Sequence, residues 1–260
     1  FHRFWARLLM VVFLIPFIYF LYKKYISWNL AAHLGGLFVF GALQGFVGWI
    51  MVEAGLTGLF VPPLRLTVHL TLALLLYAYL VWLTISYYRG KQNYSNASLG
   101  LKALAVSILG VLFLQIFLGG IVSGMKAGLA YPTWPDMQGQ FIPSSLYTEQ
   151  PTLSGLVQYI PQDNWGRTMI QVLHRLTAYL LILLIIIFYF KSRNITQDKI
   201  FKACLNLFPF FVLLQAVLGI ITILNCVGKI PVAWGAIHQA GAMFLIAETV
   251  LTVFHITTKA

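Results

Sequence analysis

His2-Arg3, Arg65-Leu66-x-x-His69, His174-Arg175 and His238 set imidazoles beside guanidinium groups or leave one alone in an apolar run. Imidazole ligates transition metals, haem iron among them, and the guanidinium fork binds carboxylates such as haem propionates. Zinc takes cysteine and carboxylate partners as well as histidine, and both are scarce here, with two Cys and six Asp plus Glu in 260 residues. Cys204 and Cys226 stand at opposite ends of one apolar run, about 33 Å apart at the helical rise. They cannot bridge each other. Two imidazoles projecting inward from opposing helices of a bundle have the geometry for axial haem ligation. A single histidine within a membrane helix is more often a helix-to-helix hydrogen-bond donor. The chemistry therefore turns on whether these four share a depth.

Depth is set by the elements that carry them. Hydrophobic residues make up 60% of the chain and charged residues 9%, against roughly 25% charged in soluble domains. Such a chain cannot cover a water-facing surface, and its aromatic content excludes disorder. Apolar runs at about 4–22, 30–51, 67–87, 103–124, 171–190, 203–225 and 232–256 each have the roughly 20 residues needed to cross a bilayer as a helix. Period-2 alternation is absent, which argues against a membrane barrel. The reading is an all-α polytopic membrane protein with seven visible spans.

The net charge of +11 then becomes a topology map. Lys23, Lys24, Arg89, Lys91, Lys102, Lys191, Arg193, Lys199, Lys202 and Lys259, ten of the 17 basic residues, fall on one side. The positive-inside rule makes that side internal, and no nucleic-acid footprint is left. His2, His69, His174 and His238 then open the four spans that run from outside to inside, in one layer near the outer face. His33 and His255 fall at the inner ends. Glu248 is the one carboxylate well inside a span; intramembrane acids mark function by default, yet its distance from the histidine layer fits a structural role equally well. A loop from 126 to 170, with Tyr131-Pro132-Thr133-Trp134-Pro135, lies on the outer side as a lid or a surface-lying stretch.

An internal repeat orders these parts. Leu43-Gln44 with Gly48, Leu114-Gln115 with Gly119, and Leu214-Gln215 with Gly219 share a Leu-Gln-x-x-x-Gly pattern. Phe1-His2-Arg3-Phe4 is echoed by Leu173-His174-Arg175-Leu176. Spans one to three thus match spans five to seven, and span four should have a counterpart ahead of the first set. The expected architecture is two pseudo-symmetric four-helix bundles with the first helix missing, residues 1–90 forming the first and 91–260 the second. The pairs Gly41-x-x-x-Gly45 and Gly120-x-x-x-Gly124 are expected to permit close helix packing.

Taken in order, these features resemble the haem A synthase family of bacterial plasma and mitochondrial inner membranes. The resemblance rests on His2-Arg3, Leu43-Gln44-Gly45 with Gly48-Trp49, Arg65-Leu66-x-x-His69, and Leu114-Gln115 leading to Ala127-Gly128-Leu129. Thr133-Trp134-Pro135-x-Met137, His174-Arg175 and His238-Gln239-x-Gly241 complete it. It implies an oxidoreductase that converts a ring methyl of haem O to the formyl group of haem A by successive hydroxylations, for cytochrome oxidase assembly. It also implies that His174 and His238 ligate a resident haem b in the second bundle, with His2 and His69 at the iron of substrate haem O in the first. Arg3, Arg65 and Arg175 are expected to meet haem carboxylates. Membrane lipid, haem O synthase, oxidase assembly factors and further copies of the chain are the partners in view. The sequence departs from the family pattern at three points. The family's glutamate three residues before the first His-Arg would fall upstream of Phe1, outer-loop cysteine pairs are absent, and Lys126 stands where many relatives have an acid. Two other readings follow from the residues: a di-haem b electron carrier between quinone and a partner, and a cofactor-free transporter built on repeats.

Overall fold

A computed structural model describes residues 2–56, 60–90 and 96–258, with backbone alone for 54–56. Lys91 and Lys259, assigned above to the basic side, lie outside the described residues. Among the described residues there are seven long helices: α1 (His2–Tyr22), α2 (Trp28–Leu56), α3 (Pro63–Arg89), α4 (Leu99–Gly124), α7 (Asn164–Ser192), α8 (Lys199–Leu224) and α9 (Val232–Thr257). Two single-turn helices, α5 (Ser145–Thr148) and α6 (Ser154–Val157), lie between α4 and α7. All seven long helices are apolar enough to cross a membrane, so the chain is an integral membrane protein.

Local chemistry sets the helix starts. Ser98 caps α4 through the Leu101 amide, Asp163 caps α7 through Gly166, and Asp198 caps α8 through Phe201, each filling an amide that the first turn leaves unpaired. Pro63 opens α3 at the position where a missing N–H costs nothing. The largest departure from the apolar runs is α7, which begins at Asn164 and not near 171. Its first turns carry Arg167, Thr168 and Gln171, all buried. A hydropathy window reads these as loop, but the folded loop supplies their partners, so they sit inside a helix.

Helices α4, α7, α8 and α9 close a ring, each packing on the next. Ile108, Ile185, Phe188, Phe201, Leu205, Phe208, Leu245 and Ile246 fill its basic half and are nearly or wholly buried. Helix α3 packs against α4 and α9, α2 against α3, and α1 against α2. Helix α1 has no buried residue among those described. The tight α3–α4 crossing depends on two glycines: a Cβ on Gly124 would lie 2.6 Å from Pro63 Cα, and one on Gly120 would lie 2.9 Å from Thr67 Cγ2. The expectation for Gly41 and Gly45 is corrected. A Cβ on Gly45 meets nothing within 4 Å, and one on Gly41 only makes ordinary contact with Met10, because that face of α2 meets no backbone. At the basic end, Arg89 closing α3 pairs with Asp198 capping α8. Burial opposes the charge on Asp198, but the Phe201 amide and the Arg89 guanidinium outweigh it and hold its pKa below the ordinary carboxylate value.

Candidate functional site

The repeated Leu-Gln-x-x-x-Gly pattern turns out to be a seat for histidine. Residues four apart share a helix face, so each glutamine and glycine present one polar arm and one gap to the neighbouring helix. A Cβ on Gly48 would come 2.9 Å from His69 Cε1. One on Gly119 or Gly219 would come 3.0 Å from Cε1 of His174 or His238 respectively. Only glycine lets the imidazole lie against the helix backbone there. The Gln44 amide donates to the His69 carbonyl at 2.8 Å, and the Gln215 amide to the His238 carbonyl at 3.0 Å. Each Nε2 also approaches the ring: 3.4 Å to His69 Nε2, 3.2 Å to His174 Nε2 from Gln115, and 3.2 Å to His238 Nδ1. Helix pairs α2–α3, α4–α7 and α8–α9 thus repeat one arrangement three times.

Two of the seats face a single cavity. It has a volume of about 580 Å³ and is enclosed by α4, α7, α8 and α9, with Leu70 and Leu74 of α3 on one side. His174, His238, Gln115 and Gln215 line it with Gly119 and Gly219, and most of the remaining wall is apolar, including Leu112, Ile116, Leu181 and Val212. The volume lies within the roughly 300–1,000 Å³ of small-molecule and cofactor sites. The Oε1 atoms of Gln115 and Gln215 and Nδ1 of His174 are buried with no hydrogen-bond partner, and such atoms are uncommon in folded proteins. Two imidazoles from facing helices in an apolar chamber can take the axial positions of a haem.

The third seat belongs to the first set of helices. His69 rests on α2, where a Cβ on Gly48 would come 2.9 Å from its Cε1. His2 and Arg3 are exposed at the start of α1. Arg65, one turn before His69, is exposed and reaches the Ile50 carbonyl at 3.4 Å. His33 lies at the opposite end, 2.6 Å from the Tyr79 hydroxyl, and His255 is fully buried there against Phe201. Glu248, 5% exposed, stands ten residues beyond His238, about 15 Å along α9. It belongs to the basic half and not to the histidine layer.

The segment between α4 and α7 is folded. Asp163 accepts from the Gly155 and Gly166 amides, and the Arg167 guanidinium donates to the Pro161 and Lys126 carbonyls. Tyr131, Ser145 and Thr168 share their hydroxyl hydrogen bonds. The Lys126 ammonium sits 3.0 Å from the centre of the Phe60 ring and 4.4 Å from that of Tyr159, and burial lowers its pKa from the ordinary lysine value. Trp134 lines the cavity. Arg175, expected against a carboxylate, gives its Nη donors to the carbonyls of Tyr131, Thr133, Pro135 and Asp136 at 2.7–3.5 Å. The glutamine seats and Trp134 carried no chemistry in the sequence reading. The fixed four-residue step from glutamine to glycine was the available signal for the seats, and the Thr133-Trp134-Pro135 turn for the lining tryptophan.

Residues 1–250 match the COX15-CtaA family, described as cytochrome oxidase assembly protein. A relative from Flavobacterium johnsoniae named heme A synthase is 36% identical over 259 residues, which is 99% of this chain and 73% of that protein. Proteins of the same name from Nitrosospira multiformis and Parvibaculum lavamentivorans are 38% and 37% identical, over 94% and 96% of this chain and 67% and 68% of theirs.

Proposed function

This chain belongs to the COX15-CtaA family of cytochrome oxidase assembly proteins, and from that premise we propose that it oxidises a ring methyl of haem O to the formyl group of haem A. It is then a membrane oxidoreductase whose product serves cytochrome oxidase. The observation that carries this reading is the pair of glycine-seated imidazoles, His174 and His238, facing one apolar cavity. They would hold a resident haem b, which supplies one-electron redox chemistry at its iron when bound. Gln115 and Gln215 orient those imidazoles, and the apolar wall keeps water from the ring.

In the first set, His2 and His69 would take the iron of substrate haem O, with Arg65 and Arg3 at its carboxylates. Residues 1–90 would then form the substrate unit and 91–260 the haem b unit. Helix α3 joins them, because its Leu70 and Leu74 line the haem b cavity while His69 serves the other seat. The basic excess at the opposite end supports a histidine layer near the outer face of a bacterial plasma or mitochondrial inner membrane.

The test is pigment analysis. Full-length protein purified after co-expression with a haem O source should carry haem b and yield haem A on extraction. Extracts holding haem O and no haem A would overturn the assignment.

A further inference from the structure

One stripe of α7 is committed to the loop above the cavity. Thr168, Gln171 and Arg175, spaced three and four residues apart, fall on one face of the helix. Thr168 donates to the Tyr131 hydroxyl and Gln171 to the Tyr131 carbonyl, both at 3.1 Å. Arg175 closes the stripe. Its Nη1 donates to the Pro135 and Asp136 carbonyls at 3.2 and 2.9 Å, and its Nη2 to the Tyr131 and Thr133 carbonyls at 3.5 and 2.7 Å. Four of the five N–H donors of the guanidinium are therefore given to one loop.

That loop is rigid on its own account. The Gln138 amide donates to Thr133 Oγ1 at 2.7 Å, the Gly139 amide to Asp136 Oδ1 at 3.2 Å, and the Met137 amide to the Gln140 carbonyl at 2.7 Å. Met137, 1% exposed, pins it into the protein. Trp134 lies between two of the carbonyls that Arg175 holds. It lines the cavity yet remains 41% exposed, so the polypeptide leaves much of its ring surface uncovered.

Resting on the haem reading above, we infer that Trp134 is a wall of the haem b site at its histidine end and that Arg175 is the positioning residue that holds it there. Arg175 acts on the cofactor through the loop and not as a carboxylate ligand. To turn to a carboxylate it would have to release the carbonyls of Thr133 and Pro135, the two residues that flank Trp134. Arg175 directly follows His174, so one turn of α7 places an axial ligand and fixes the lid over it. The wall slows escape of the haem, since a large aromatic ring packed on a bound porphyrin must move before the porphyrin can leave.

Haem loss from the purified holoprotein to excess apomyoglobin, followed in the Soret band, tests this. Arg175→Ala and Trp134→Ala should each speed the loss by about tenfold or more. Trp134→Phe should restore most of the retention, and the double variant should be no faster than the faster single one, because both act through one wall. Arg175→Lys is decisive. A lysine keeps the charge a carboxylate would need but cannot bridge four carbonyls, so it should lose haem as Arg175→Ala does. Rescue by lysine, multiplying effects in the double variant, or an unchanged loss rate in Arg175→Ala would each overturn the assignment. Amide hydrogen exchange of haem-free protein supplies a separate readout, since Arg175→Ala should raise exchange in 131–140. Unchanged exchange there overturns the clamp. Failure of the haem reading looks different: wild-type protein then shows no Soret band while exchange in 131–140 still rises.

Discussion

Adding one methyl group at Gly219 should separate cofactor binding from folding. The Cβ of Gly219→Ala would stand 3.0 Å from His238 Cε1 and 3.6 Å from each ring nitrogen, whereas carbon atoms rest at about 3.5–4.0 Å. The imidazole must therefore move by roughly 0.5 Å or more, while a metal–ligand distance tolerates only about 0.2 Å. Overpacking of this kind costs about 1–3 kcal/mol, here charged against haem ligation, which corresponds to roughly 5- to 150-fold weaker binding. In the haem-free protein the ring is free to swing aside, and alanine favours the helix over glycine by up to about 1 kcal/mol. Haem affinity should fall while the stability of the haem-free protein holds or rises. Gly119→Ala, 3.0 Å from His174 Cε1, should behave in the same way, and Gly110→Ala in α4, where a Cβ meets nothing within 4 Å, should leave affinity unchanged. Haem titration in detergent and melting of the haem-free form measure the two quantities. If Gly119→Ala and Gly219→Ala bind haem like wild type, the seat has no bearing on ligation and the argument from geometry fails.

Removing the amide arm of the seat, as in Gln215→Leu, should lower haem affinity by about 10- to 100-fold, the usual cost of losing a group that orients a metal ligand; the same titration reads it. Gly124→Ala sets a Cβ 2.6 Å from backbone at Pro63, which cannot yield as a side chain can. It should destabilise the α3–α4 crossing by about 1–3 kcal/mol, seen as a lower melting temperature with or without haem. The Asp198 carboxyl has a lowered pKa in the folded protein, so its contribution to stability is full above the ordinary carboxylate value near 4 and is lost as pH falls toward the folded value. Asp198→Asn keeps a capping side chain but removes this acid dependence. The wild-type advantage should be no more than about 1 kcal/mol because the pair is partly exposed, and it should be lost as pH falls below the ordinary carboxylate value near 4; an advantage that persists in strong acid contradicts the assignment.

Seven spans were legible in the chain, and the expectations for their direction and for a common depth of four histidines came from the same source, because each is a property of composition along one dimension. Some 20 apolar residues must cross as a helix, loop charge sets direction, and rise per residue turns position into depth. The Gly120 and Gly124 contact with α3 was also foreseeable as a small-residue pattern. The same pattern at Gly41 and Gly45 was not informative, because spacing cannot say which face of a helix meets a neighbour. Only the tertiary structure paired Gln44 with His69, Gln115 with His174 and Gln215 with His238, across 23 to 59 residues of sequence. It alone extended α7 back to Asn164, where the buried side chains of Arg167, Thr168 and Gln171 hydrogen-bond to a folded loop that no hydropathy window sees. Arg175 shows the limit most plainly. Its place beside His174 suggests a haem carboxylate, yet its donors go to carbonyls about 40 residues earlier. A guanidinium binds either kind of oxygen, and the one it meets depends on how the loop folds back in three dimensions.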